Sequence, residues 1–214
     1  MSIKINEIFY SIQGESSYAG YPCVFVRCTG CNLRCSYCDT QYAYEEGEHL
    51  SLDLIVQRAG GFGCRLVEIT GGEPLLQDET PVLVKRLLDR GYTVLLETNG
   101  SRDIGAVDGR CVRIVDFKCP ASGEAEQNDF DNCGRLTGND EVKFVIQNRD
   151  DYLYARGIVE RICREARVKI IHFSPVTDMI APSTLAGWML EDGVHARLGL
   201  QLHKIIWPGG QRGV

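Results

Sequence analysis

Short apolar runs rich in β-branched residues recur along this chain, and the stretches between several of them carry helical spacing. The runs occupy 23–28 (CVFVRC), 66–70 (LVEIT), 93–97 (TVLLE), 112–117 (VRIVDF), 142–147 (VKFVIQ) and 168–173 (VKIIHF), and 198–206 is expected to be a last strand or tail. Segment 78–90 sets Val82, Leu83, Leu87 and Leu88 at helical spacing, with Thr80 as N-cap, Pro81 as the first helical residue and Gly91 as the stop. Segments 150–166 and 183–190 are further helices, and the polar stretch 123–138 is expected to be a long surface loop. Alternating strands and helices imply parallel βα units with connections of one hand. About six strands are too few for a closed eight-stranded barrel. The fold class is therefore α/β, either a partial (βα) barrel or a doubly wound sheet, with function at the carboxyl ends of the strands.

A chain of 214 residues with 44% hydrophobic content can bury one sizeable core, so a single domain, 1–214, is expected. The formal charge of −6 argues against a nucleic-acid partner, which would want a basic face. No stretch approaches a membrane span, and the N-terminus lacks a signal-like apolar region, so a cytoplasmic location is expected. In a reducing compartment the ten cysteines point to metal or redox chemistry rather than to disulfides.

Cys31, Cys35 and Cys38 stand at C-x3-C-x2-C spacing, after an apolar strand and on a loop carrying Gly30. Three such thiolates can ligate three irons of a cubane and leave the fourth open to a ligand. The spacing lacks the second pair of a zinc ribbon, although a zinc site recruiting Cys23 or Cys28 stays open at this point. Cys64, Cys111, Cys119 and Cys163 are scattered, and Cys133 lies in the polar loop, where exposure is expected. Strand 66–70 runs into Gly71-Gly72-Glu73-Pro74, where glycines permit close backbone approach and Glu73 offers an acceptor for an ammonium.

With Tyr37 before the last cysteine, this constellation resembles the radical S-adenosylmethionine superfamily. The resemblance implies a partial barrel, a [4Fe–4S] cluster whose open iron is chelated by S-adenosylmethionine, and release of a 5′-deoxyadenosyl radical on one-electron reduction. GGEP resembles the superfamily motif that grips the cofactor's amino group. Segment 8–16 (IFYSIQGES), Gly20, Arg27 and Asp39-Thr40 make nearly the whole chain similar to the 7-carboxy-7-deazaguanine synthases. That similarity implies ring contraction of 6-carboxy-5,6,7,8-tetrahydropterin with loss of ammonia, a magnesium ion held partly through the substrate, and a homodimer. A reductase such as a flavodoxin or ferredoxin would supply the electron.

The same resemblance implies the site. Segment 1–21 would bind substrate, with Ile12, Gln13, Gly14 and Glu15 near the pterin edge and Arg27 as a bidentate fork for its carboxylate. Thr70 would lie beside substrate, and Thr40 would ligate magnesium. Tyr37, Asp39, Gly72, Glu73, Asp116, Phe117 and Lys118 would contact the cofactor, and Phe173, Ser174, Pro175 and Val176 its adenine. Segment 97–100 (ETNG) ends a strand beside the site, and 198–214, with His203, would close over the substrate. Two other functions fit a cluster motif: a glycyl-radical enzyme activase, and a non-enzymatic iron–sulfur or zinc module.

Overall fold

The computed structural model describes residues 1–165, 168–207 and 212–213. Its strands are β1 (Ser2–Ile12), β2 (Pro22–Cys28), β3 (Glu48–Ser51), β4 (Leu66–Gly71), β5 (Thr93–Thr98), β6 (Val112–Asp116), β7 (Glu141–Ile146), β8 (Ile170–Pro175) and β9 (Arg197–Leu198). They form one sheet in the order β3-β1-β2-β4-β5-β6-β7-β8-β9. From β2 to β9 every pairing is parallel, whereas β1 runs antiparallel to both β2 and β3. The α/β class and the parallel order of the expected strands hold. The first twelve residues are more than a binding segment, because β1 supplies the sheet's antiparallel turn with Ile3 and Ile5 buried.

The helices are α1 (Leu52–Gly60), α2 (Thr80–Asp89), α3 (Asn132–Arg135), α4 (Arg149–Glu165), α5 (Pro182–Asp192) and α6 (Leu202–Ile206). None of them is long and apolar enough to cross a membrane. Helix α1 starts where the Ser51 side chain accepts from the Leu54 amide at 3.2 Å. The N-cap position of helix α2 is Glu79, which makes no side-chain cap, and not Thr80, whose hydroxyl donates to the Pro74 carbonyl at 2.7 Å. Gly91, at φ +79°, ends it as expected. Segment 198–206 starts at the end of β9 and is otherwise mostly α6, and residue 166 of the expected helix 150–166 lies outside the described residues.

The 123–138 stretch is not a bare surface loop. It contains α3, where buried Asn132 donates to the Gly100 carbonyl at 3.1 Å and to the Arg102 carbonyl at 2.8 Å. Cys133, next in the chain, is buried rather than exposed.

Side chains alternate across each strand, so the two sheet faces take different chemistry. Val24, Val26, Val67, Ile69, Val94 and Leu96 pack with Ile55 and Ala59 of α1 and Leu83 and Leu87 of α2. Val115, Val142, Phe144, Ile171 and Phe173 pack with Tyr152, Ile162 and Leu185. On the opposite face Cys23, Phe25, Leu66, Leu95, Val112 and Ile114 form an apolar floor. Beyond that floor, toward the carboxyl ends of the strands, the same face carries Arg27, Thr70, Glu97, Asp116 and Lys143. A floor of side chains under an open polar end is what holds a site at the top of a partial barrel.

One buried charge lies on the helix-facing side. Arg113 bonds Asp140 through Nε at 2.8 Å and Nη2 at 2.5 Å, with both side chains nearly inaccessible. Its remaining donors reach the Ile104 and Arg135 carbonyls, both at 3.0 Å. Removing one partner would leave the other charge buried and unpaired. Asp140→Ala should therefore lower unfolding stability by about 3–5 kcal/mol in urea titration; a loss below about 1 kcal/mol would show that water rescues Arg113.

Candidate active site at the carboxyl ends of the strands

Cys31, Cys35 and Cys38 follow β2 and line a cavity of about 860 Å³ at the carboxyl ends of the strands. Backbone contacts hold their loop. The Gly30 amide donates to the Ala43 carbonyl at 2.9 Å, the Ser36 amide to the Ser122 carbonyl at 3.0 Å, and Leu33 is buried. Burial pushes the Cys31 thiol up and the Cys35 thiol up to about 11. Metal binding at these two sulfurs therefore has to displace a proton.

The GGEP turn reaches the cysteine loop because the parallel register sets Cys28 opposite Gly71. A Cβ at Gly71, whose φ is +137°, would lie 2.2 Å from the Cys28 carbonyl oxygen. A Cβ at Gly72 would lie 2.1 Å from the Gly30 oxygen and 2.8 Å from Cys31 Cβ. The Glu73 amide then donates to the Gly30 carbonyl at 2.7 Å. Glu73 itself is fully buried and turned away from the cavity. Its carboxylate accepts from the Leu75 amide and the Thr98 hydroxyl, each at 2.9 Å, and from the Asn99 amide at 2.7 Å. The cavity wall here is the backbone of Gly71 and Gly72 beside Thr70.

Above the apolar floor the cavity is lined with charge. Lys143 Nζ lies 2.5 Å from Glu15 and 2.7 Å from Glu97. Burial would lower its pKa, but the Glu15 and Glu97 carboxylates raise it well above the ordinary lysine value. Glu68, which also lines the cavity, is pushed well above the usual carboxylate range by burial and by the nearby Glu97 and Glu15 charges. Gln13 donates to Glu68 and accepts from the Glu15 amide at 2.9 Å, which commits its side chain to shaping the loop. Gln201 donates to Glu15 at 2.9 Å.

Arg27 lines the cavity between the Phe9 and Tyr42 rings, at 5.5 and 5.8 Å, and its Nε is held by Glu7 at 2.7 Å. Thr40 and Asp39 share a hydrogen bond of 3.0 Å, and Asp39 pairs with Lys204 of α6 at 2.8 Å. Although burial opposes it, the Lys204 ammonium holds the Asp39 carboxyl down at about 2. His203 packs so closely on Gly14 that a Cβ there would lie 2.3 Å from its Nδ1. Burial lowers the His203 pKa. Ile12, Tyr37, Lys118 and Val176 also line the cavity.

Phe117, Phe173 and Pro175 do not line it. Phe117 stacks between Phe130 and Phe144 at 5.8 and 6.1 Å, and Phe173 meets Phe144 edge-on at 5.6 Å, both in the helix-facing core. Ser174 opens on a smaller neighbouring cavity of about 240 Å³. Conversely, Glu68, Lys143 and Gln147 line the site without having been singled out in the sequence. The available signal was a charged residue inside an apolar strand, at the parity of the site. Residues 208–211 and 214 of the expected closing segment lie outside the described residues. Arg212 stacks over Tyr42 at 4.1 Å and pairs with Glu46 at 2.8 Å.

The cavity is built for a ligand group of mixed character. Sulfur donors line one wall, and Tyr37 Oη, Asp116 Oδ1 and Gln147 Oε1 are buried with no hydrogen-bond partner among the described residues. Three thiols beside such orphaned polar atoms fit an iron–sulfur cluster with an organic cofactor against it.

Residues 25–112 match the family model described as "Radical SAM superfamily". The chain is 46% identical to a "7-carboxy-7-deazaguanine synthase" of Koribacter versatilis, covering 99% of this chain and 100% of that protein. It is also 46% identical to one so named from Chlorobaculum tepidum, covering 99% and 97%. The crystal structure of QueE from Escherichia coli superposes with a TM-score of 0.79 over 94% of each chain at 22% identity, a likeness of fold.

The tight approach at Gly72 generates a prediction. Gly72→Ala must push the turn off Gly30 and Cys31, so iron and sulfide bound after anaerobic reconstitution should fall to less than about half the wild-type content. Gly157→Ala, where nothing crowds the added carbon, should load normally; equal loading of both variants would contradict the role given to this contact.

Proposed function

This chain belongs to the 7-carboxy-7-deazaguanine synthase family of radical S-adenosylmethionine enzymes, and from that premise we infer how its cavity does the family's work. The chain is a radical S-adenosylmethionine enzyme that carries a [4Fe–4S] cluster and makes 7-carboxy-7-deazaguanine. The activase and the non-enzymatic module give way, because similarity to the synthases runs over the whole chain. The substrate is 6-carboxy-5,6,7,8-tetrahydropterin.

When bound, the cluster and S-adenosylmethionine supply the radical that takes a hydrogen from the pterin. The rest is the work of side chains. Cys31, Cys35 and Cys38 hold the cluster, and Tyr37, Asp116 and Gln147 offer their unpartnered atoms to the cofactor. Glu73 acts through the turn, fixing the Gly71–Gly72 backbone that meets the cofactor's amino group. Arg27 keeps its terminal nitrogens toward the cavity because Glu7 takes only Nε, so its outer edge receives the substrate carboxylate. Glu15, held by Lys143 and Gln201, faces the guanidine-like edge of the pterin. His203, lowered in pKa by burial, closes that side as a neutral ring. Thr40 and Asp39 supply oxygens suited to magnesium.

Segments 1–21 and 198–214 cover the substrate within a single domain. A small one-electron reductase such as a flavodoxin or ferredoxin, a homodimeric assembly and a cytoplasmic location complete the proposal.

The single observation that carries it is the shared cavity of three thiols, Arg27 and the Glu15–Lys143 pair. The test is anaerobic turnover of the reconstituted, reduced enzyme with S-adenosylmethionine, magnesium and the pterin, with the product read by mass. Deazaguanine carboxylate should form without net cofactor consumption, and its absence beside ongoing cofactor cleavage would refute the substrate. Arg27→Ala should leave cofactor cleavage intact and raise KM for the pterin roughly 10- to 100-fold, the equivalent of about 1.5–3 kcal/mol for a charged hydrogen bond. An unchanged KM would remove Arg27 from the carboxylate.

A further inference from the structure

Segment 97–100 runs from the end of β5 to the cysteine loop, and Asn99 in it is buried. The sense of its side-chain amide is fixed by its neighbours. Asn99 Oδ1 accepts from the Ser101 amide at 3.0 Å and from the Ser101 hydroxyl at 2.6 Å. Nδ2 must therefore point the other way, where it lies 3.2 Å from Asn32 Oδ1 and 3.8 Å from Cys31 Sγ. The Leu33 amide donates to the same sulfur at 3.4 Å. The Asn99 backbone amide is in turn held by Glu73 at 2.7 Å. The buried glutamate of the GGEP turn thus sets the height of Asn99, and Ser101 sets its rotation.

We propose that Asn99 is a positioning residue that tunes the cluster, its amide N–H aimed at Cys31 Sγ so as to favour the reduced state. The proposal rests on the assignment of Cys31 as a cluster ligand. Reduction adds one electron, delivered by the external one-electron donor, and no proton moves at Asn99. The added negative charge spreads onto the sulfurs, and a donor facing one of them stabilises the reduced form more than the oxidised form. Hydrogen bonds to cluster sulfurs are among the terms that set such potentials. The device matters here because a radical enzyme of this type acts only after its cluster is reduced.

The test is a redox titration followed by electron paramagnetic resonance on the reconstituted full chain, with iron and sulfide analysis of every sample. Asn99→Ala should load the cluster yet shift the midpoint to a more negative potential; a tenfold fall in the reduction equilibrium corresponds to 59 mV for one electron. Asn99→Asp keeps the acceptor for Ser101 and turns an oxygen toward the sulfur, so its shift should be larger in the same direction. Ser101→Ala releases the amide's rotation and should give a smaller shift of that sign. Should Asn99→Ala fail to load, the nearly isosteric Asn99→Asp decides the matter. Normal iron content with an unmoved midpoint in the loaded variants overturns the proposal. A wild-type chain that binds no iron and sulfide overturns the cluster assignment itself, and the analysis of iron tells the two failures apart.

Discussion

Cys28 and Gly71 face each other across the parallel β2–β4 pair, and the chain beyond each strand end stays in backbone contact. Glu73 donates its amide to Gly30, while Gly72 leaves no room for a side chain against Gly30 and Cys31. Everything at the site refers back to that contact. It sets where the first cysteine leaves the sheet, and it buries the Glu73 carboxylate. That carboxylate then gathers Leu75, Thr98 and Asn99 into one hydrogen-bonded corner. A flexible loop of cysteines could bind iron in many ways; this one is built into position by two adjacent strands.

The second organising element is charge placed where solvent cannot relieve it. Lys143 sits on a central strand between Glu15 and Glu97, with Glu68 and Asp116 close by. Burying one ammonium among several carboxylates is tolerable only if the pairs are short and some carboxyl keeps its proton. Glu68 is a carboxyl whose surroundings favour this. The arrangement ties the N-terminal segment, through Glu15, to the middle of the barrel. The same segment is held a second time by Ser17 on Glu141, whose partner is His172 at 2.7 Å. Segment 13–21 is thus fixed on the sheet by the Glu15–Lys143 ion pair and the Ser17–Glu141 hydrogen bond, with Tyr18 packed on the apolar floor.

Much of this was legible in the sequence, for physical reasons that also explain the misses. The central strands announced themselves because parallel strands covered on both faces need unbroken apolar runs. Strand β1 did not, since SIKINEIFYSI mixes Asn6, Glu7 and Ser11 into an outer strand; β3 and β9, of four and two residues, carry no pattern of their own. Phe117 and Phe173 were placed at the site by motif position. Their strand parity, opposite to that of Asp116 and His172, sends them to the helices. The same parity rule places Glu68 and Lys143 on the site face of their strands, away from the helices. Thr80 looked like a cap and proved to be a tie between α2 and the GGEP turn, its hydroxyl donating to the Pro74 carbonyl. Cys133 followed buried Asn132 inward, a burial that the polar composition of its segment conceals.

The central claim is that three cysteines present a cluster with one iron open to S-adenosylmethionine inside this cavity. The most direct measurement is the electron paramagnetic resonance spectrum of the reduced, reconstituted protein, recorded before and after addition of S-adenosylmethionine. The account predicts a [4Fe–4S] signal whose g values change on addition, as a ligand enters the open iron. A signal that stays the same at saturating cofactor would mean that the fourth iron is closed or out of reach, and would contradict the site described here.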